Sequence, residues 1–266
     1  MFNLLRQLAA RHAVFVLTCA VLLAAFEFLI CALVATIDIG AALTELKKSA
    51  PPFMQSMLGE EYFGNLTSRG MVAFGWNHPI ALALGAAIAI VLASRAIAGE
   101  IESGTMELVL SQPLPRIKYL MSHVAFASAA LLTLSLGGAA GTMAGQNFYG
   151  LRVFETDALL KLLMNYFLLH GSWYTLTLAF SVFGREGGRV SGAAFLIALL
   201  SYIISVIGKL LPSAAFLLPY SLYNYYSPQA ILIESKSGVG SFSVLFTFSA
   251  ICLGIAAWRF QRRDIP

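Results

Sequence analysis

The sequence predicts an all-α fold: a polytopic membrane protein with six transmembrane helices, an N-terminal interfacial helix and a short cytoplasmic helix. Three observations carry that expectation. Of 266 residues, 59% are hydrophobic and 11% charged, against roughly 25% charged in an ordinary soluble domain. The mean hydropathy is +0.79. Apolar stretches long enough to cross a bilayer, about 20 residues of helix each, recur six times. Together these exclude a disordered chain, a nucleic-acid binder built on a basic surface and most soluble enzymes.

Residues 1–12 come first. Phe2, Leu5, Leu8 and Ala9 share one helical face and Arg6 and Gln7 lie off it, so a short amphipathic helix in the cytoplasmic interface is expected. The first span, 13–37, follows Arg6 and Arg11. Its apolar run exceeds a signal-peptide core and no small-x-small cleavage site follows, so it reads as a retained helix. The outer connection 38–78 holds Pro51-Pro52 and room for short helices over 41–49 and 53–62. The sequon Asn65-Leu66-Thr67 is assigned no role.

The second and third spans, 79–98 and 122–147, carry small residues: Gly85, Ala86 and Ala87 in one, Gly137, Gly138, Ala139, Ala140 and Gly141 in the other. Small faces let helix backbones approach closely in lipid, and packing rather than pore lining is the reading they receive. The fourth, fifth and sixth spans fall at 158–183, 188–208 and 241–259. Between the last two, residues 209–240 are too apolar for a water-exposed loop and too interrupted, by Pro212, Pro219 and Pro228, to span. An outer re-entrant segment is expected, two short helices dipping into the leaflet with Tyr220, Tyr223, Tyr225 and Tyr226 at headgroup level. The whole of 1–266 then forms one transmembrane domain.

Basic residues set the orientation. With the N-terminus inside, Arg6, Arg11, Arg95, Arg116, Lys118, Arg185, Arg189, Arg259, Arg262 and Arg263 are cytoplasmic, ten of the 17. The other seven spread over longer outer loops rich in Asp and Glu. Both termini therefore face the cytoplasm, and the net charge of +4 is a topology signal that argues for no nucleic-acid partner. Cys19, Cys31 and Cys252 lie inside spans with no paired spacing and read as small buried hydrophobes.

The stretch 99–118 holds the most chemistry. Gly104 permits a sharp turn after the second span. Thr105 can cap a new helix, with Glu107 in its first turn. Pro113 and Pro115 end it. The resulting helix, 105–111, is about 10 Å long and places Met106, Val109 and Leu110 on one side. Such an element suits a partner's groove or an interfacial loop equally.

The run Glu100, Gly104, Thr105, Leu110 (with Leu108 and Val109 adjacent), Pro113 and Arg116 resembles the signature of ABC-2-type permeases, the membrane subunits of one class of ATP-binding-cassette transporter. The likeness extends to the interfacial helix, six spans, broken outer segment and basic tail. It implies a bacterial cytoplasmic (inner) membrane location and a dimer, identical or related, with two copies of a separate ATPase. ATP and Mg would be bound on that partner and no cofactor by this chain. It further implies that 105–111 is a coupling helix resting in a cleft of the ATPase, with Glu100, Gly104, Thr105, Glu107, Leu108 and Arg116 making or orienting the contact. The loop 184–189 would add a smaller contact. Gly104-Thr105-Met106 and Gln112-Pro113 also resemble the branch of this family that serves nitrous-oxide reductase maturation, so a maturation complex with a periplasmic factor stands as the alternative function. A secondary transporter is a further alternative.

Within the spans, Glu27 and His170 are the candidate pathway residues. A carboxylate at mid-membrane costs on the order of 2.5–3.5 kcal/mol, so Glu27 must face protein or water. It either lines a substrate path or hydrogen-bonds a neighbouring helix. His170 either pairs with it, if the first and fourth spans meet, or packs. No catalytic set is expected. Gly-x-x-x-x-Gly-Lys-Ser/Thr and His-Glu-x-x-His do not occur, and His170-Gly171-Ser172 lacks a nucleophile turn. No pair of His or Glu has metal-ligand spacing.

Overall fold

The structure is a computed structural model and describes residues 2–36, 67–111, 115–151, 155–233 and 238–263. The expected short helices over 41–49 and 53–62, most of the sequon and Pro113 lie outside the described residues. Those described are mostly helical and include no strand.

Helix α1 runs unbroken over Phe2–Thr36, 35 residues. It contains neither Gly nor Pro, and its length of ~52 Å exceeds the ~30 Å hydrocarbon layer. The interfacial helix expected over 1–12 is not a separate element: from Phe2 on, the segment continues into the first span with no break in the helix. Leu8 and His12 are buried against protein, the His12 ring 6.1 Å from Phe126, while Leu5 and Ala9 are half-buried.

Helix α2, Ser68–Asn77, is capped by Thr67, whose hydroxyl accepts from Gly70 N–H at 3.1 Å. His78 ends it, and Pro79 opens α3, Pro79–Ser94. A π turn follows at Arg95–Gly99, then one helical turn at Glu100–Glu102 and the five-residue α4, Met106–Leu110. Beyond it come α5 (Arg116–Phe148), α6 (Thr156–Phe183) and α7 (Gly187–Leu210). Two 3₁₀ segments, Pro212–Tyr220 and Leu222–Tyr225, lead through α8 (Pro228–Leu232) to α9 (Val239–Arg262).

Among the described residues five helical stretches are long and apolar enough to cross a membrane: Asn3–Thr36, Ser68–Glu102, Arg116–Phe148, Gly187–Leu210 and Val239–Arg262. The expected fourth span, α6, is not among them. At 28 residues it has the length but carries Asn165, His170, Ser172, Thr175, Thr177 and Ser181, all buried. Asn165, His170, Ser172 and Ser181 bond to other elements, Thr175 and Thr177 to carbonyls of α6 itself, and α6 is the centre of the bundle, packed against α3, α5, α7 and α9.

Contacts along the helices give their directions. Ala20, Ala24 and Cys31 meet Gly137, Gly141 and Gly145 in that order, so α1 and α5 run parallel. Tyr166 donates to Ala81 O (2.7 Å) and Ser181 to Ser94 O (3.2 Å), so α6 runs parallel to α3. Ser172 donates to Leu245 O (3.1 Å) and Arg263 donates to Val182 O, so α9 runs with α6. The seam between α1 and α5 is the most extensive in the fold, and the small residues serve it. An ideal Cβ on Gly137 would lie 2.8 Å from Ala20 O, and one on Gly138 2.7 Å from the Trp76 ring.

Residues 212–232 form the two 3₁₀ segments and α8, and two of the tyrosines expected at headgroup level turn inward. Tyr226 is fully buried and donates to Trp76 O at 2.9 Å. Tyr223 packs between Trp173 and Tyr202, each ring 5.6 Å away. Tyr220 is 80% exposed. The satisfied Tyr226 hydroxyl lets its ring join the core.

Candidate functional site

The loop after α3 is built on backbone bonds around one positive-φ residue. Gly104 has φ +70°, a left-handed conformation that costs any L side chain strain. Its N–H donates to Ile101 O at 3.1 Å, and Thr105 N–H to Glu100 O at 3.0 Å. Ser103 Oγ donates to Gly99 O at 2.9 Å and lies 2.8 Å from Thr105 Oγ1.

Glu100 is the hub. Its carboxylate accepts from Arg11 Nη1 of α1 at 2.6 Å and from the Thr105 hydroxyl. The Glu100 side chain is 13% exposed and Arg11 58%. The Thr105 hydroxyl therefore points back to Glu100 and not forward as the expected cap of α4. Two positions on, Glu102 Oε2 accepts from Gly187 N–H at 2.8 Å, the first residue of α7, where a carboxylate also complements the helix dipole. A Cβ on Gly187 would meet Gly99 Cα at 3.2 Å, so the loop 184–189 lies directly against the one after α3.

Arg116, at the start of α5, closes the other side. Its Nη1 donates to Phe260 O (3.2 Å), Gln261 O (3.5 Å) and Arg263 O (2.5 Å), the carbonyls that end α9. Arg263 is itself buried and donates to Val182 O at the end of α6. Burial, then the neighbouring Arg259 and Arg185, lower its pKa from the usual arginine value.

Helix α4 sits over this frame. Met106 is buried beneath it, while Glu107 and Leu108 face outward, Leu108 69% exposed. The Val109 and Leu110 side chains lie outside the described set. Of the six loop residues singled out in the sequence, Glu100, Thr105 and Arg116 bond within the chain, Gly104 makes the turn, and Glu107 and Leu108 are presented. Arg11, Glu102 and Arg263 escaped sequence reasoning. The signal that could have found Arg11 is the acidic pair Glu100 and Glu102 on the basic side of the chain, which calls for nearby donors.

A family model described as ABC-2 family transporter protein matches residues 9–265. The chain belongs to the ABC-2 transporter family. A comparison with curated proteins gave no match. As an ABC-2 family protein it is a multi-pass membrane component of a transporter, of a kind that works with an ABC ATPase.

Glu27 and His170, the two candidate pathway residues of this ABC-2 chain, occupy separate, fully buried positions. Glu27 of α1 accepts from Thr142 Oγ1 of α5 at 3.5 Å, and Thr142 accepts from Trp76 Nε1 of α2 at 3.1 Å. The second carboxylate oxygen, Oε1, has no hydrogen-bond partner. His170 places Nδ1 2.9 Å from Tyr166 O and Nε2 3.2 Å from Leu82 O. A neutral ring can donate to only one of these carbonyls at a time. The ring occupies the space left by Gly85, where a Cβ would overlap it. No hydrogen bond joins Glu27 to His170. The rings of Trp76 and Tyr166 (5.4 Å) and of Tyr166 and His170 (4.2 Å) stand between them.

Proposed function

We propose that this chain is the permease subunit of an ATP-driven exporter, with Thr105–Ser111 as the element that couples a separate ATPase to the membrane helices. One observation carries the reading. The loop bearing α4 is bonded to α1 through Glu100–Arg11, to α7 through Glu102–Gly187, and, through Arg116, to the ends of α9 and α6. A push on α4 thus reaches four long helices through charged or backbone bonds. In this reading the chain crosses a bacterial inner membrane six times, α6 included. That α1 runs with α5, and α3 and α9 run with α6, supports that count, and the bonds of Arg11 to Glu100 and of Arg116 to Arg263 support a reading with both termini on the α4 side. Two permease chains, most simply identical, pair with two ATPase subunits that bind ATP and Mg. Lipid surrounds the exposed apolar faces of α7 and α9.

Glu107 and Leu108 are the residues on which the ATPase rests, and Glu100, Gly104, Thr105 and Arg116 orient them. The deciding experiment is copurification after mild solubilisation. An ABC ATPase recovered with the chain supports the reading; recovery of the chain without one, at native expression, overturns it. Glu107→Lys should then lower ATPase recovery at least tenfold, about 1.4 kcal/mol of contact energy, because it reverses an exposed charge without touching the frame. Equal recovery would remove Glu107 from the contact.

Glu27 belongs to the pathway or its gate. A fully buried carboxylate oxygen without a partner is uncommon in native folds and calls for a reason. A conformation that opens the seam between α1, α2 and α5 would supply one. Glu27→Gln keeps the shape and the Thr142 bond, so the variant should assemble normally. ATP-dependent transport into inside-out vesicles should fall at least tenfold. Unchanged transport would leave Glu27 a packing residue.

A further inference from the structure

The root of the coupling loop is a π turn that a side chain from another helix holds open. In an α-helix Ala98 N–H would bond to Ser94 O. Over Arg95–Gly99 the ladder is π, which leaves an N–H and a C=O in need of partners. Ser181 of α6 stands between the two groups that would otherwise pair. Its Oγ accepts from Ala98 N–H at 2.9 Å and donates to Ser94 O at 3.2 Å. On the other side Tyr119 of α5 donates to Ala96 O at 2.8 Å. Ser181, Ser94, Ala96, Ala98 and Tyr119 are all buried. Water therefore cannot stand in for either side chain.

Ser181 is unlike Thr177, one turn earlier, in this. Thr177 donates to the carbonyl four residues back on α6, at 2.7 Å, the usual recourse of a helical hydroxyl. Ser181 directs both of its bonds to α3.

We infer that Ser181 is a positioning residue, a wedge whose insertion between Ser94 O and Ala98 N–H fixes the angle at which the coupling loop is presented. A π turn holds one residue more than the α turn it replaces. Reversion to α would turn everything beyond it by about 100° around the helix axis. That turn would carry Glu100 away from Arg11 and Glu102 away from Gly187, so the wedge selects which contacts the loop makes. Sliding of α6 along α3 is the motion that would insert or withdraw it. The inference rests on the coupling reading for its purpose, and on the two hydrogen bonds alone for its geometry.

The test places spin labels at Gln7 and Leu108, both exposed, on the full chain in lipid without nucleotide or partner. The native cysteines are buried. Pulsed electron resonance reads the separation of the labels. Ser181→Ala should move or broaden it by about 5–8 Å, the chord of a 100° turn at a helix radius of about 5 Å. Ser181→Thr, which keeps the hydroxyl, should leave it at the native value. An unchanged distance in Ser181→Ala overturns the wedge. If that variant fails to fold, Ser181→Cys keeps the volume with weaker bonds, and an unshifted distance there overturns it equally. A shifted loop with unaltered ATP hydrolysis by the copurified complex would sustain the wedge and sink the coupling reading instead.

Discussion

Gly141→Val is expected to abolish assembly of the chain. Gly141 faces α1 where the two backbones come closest, and an ideal Cβ there would overlap Ala24 O. The obstacle is main chain, which has no rotamer to yield. Overpacking of a close-packed seam costs about 1–3 kcal/mol and occasionally more. Here α1 must also separate from α5 along Gly137, Gly138 and Gly145, where each Cβ site meets Ala20, Leu23, Trp76 or Cys31 closer than van der Waals contact. Separation would break the Trp76–Thr142–Glu27 chain in the same region. Gly141→Ala should destabilise as well, since the added methyl occupies the position already blocked. Gly171→Ala on α6 is the control. Beyond its chain neighbours and the adjoining backbone of its own helix, no atom lies within 4 Å of its Cβ position, so the substitution should gain about 0.5–1 kcal/mol of helix propensity. Size-exclusion profiles and thermal unfolding in detergent read all three. A monodisperse, native-like Gly141→Val would show that the seam is not close-packed in the membrane.

The long helices were legible in the sequence because α1, α3, α5, α7 and α9 are apolar runs bounded by charge, Pro or Gly. Residues 1–12 show why the reading stopped short at the N-terminus. An apolar face at helical spacing looks the same whether it meets lipid or protein, and Leu8 meets protein. For α6 the length was legible but its central place was not. A polar helix becomes a core helix only through partners contributed by other helices: Gly85 for His170, Ser249 for Ser172, the π turn of α3 for Ser181. The inward tyrosines follow the same rule, since Tyr226 needs Trp76 O and no local pattern announces it. In the loop after α3, local chemistry was readable. Gly104 marked the turn, and it is the positive-φ residue. The ties that fix the loop were not readable. Arg11 and Glu100 are 89 positions apart, Glu102 and Gly187 85, and Arg116 and Arg263 147. Packing of the long helices alone brings them together.

Substitutions at Gly104 should separate coupling from assembly more cleanly than any other change in the loop. Two properties of the position are independent. The backbone sits at φ +70°, and the N–H donates to Ile101 O. Proline violates both, since its ring fixes φ near −65° and removes the donor. Alanine keeps the donor and meets only the conformational cost, about 1–2 kcal/mol, because no atom lies within 4 Å of its Cβ. Asparagine tolerates the left-handed region better than other side chains. Coupling should therefore fall in the order Gly, Asn, Ala, Pro. The long-helix contacts of α1 with α5 and of α6 with α9 do not involve Gly104, so all four chains should assemble alike. Transport per ATP hydrolysed, measured in vesicles with the copurified ATPase, should be near native for Asn, reduced severalfold for Ala and lost for Pro. Charge interactions do not distinguish these variants, and steric contact does not either. The steps from Gly through Asn to Ala thus isolate backbone conformation as the property that presents Glu107 and Leu108, and Pro adds the loss of the N–H donor to Ile101 O. Equal coupling in Gly and Pro would mean that the turn at Gly104 does not set the position of α4, and the assignment of the coupling element would fail with it.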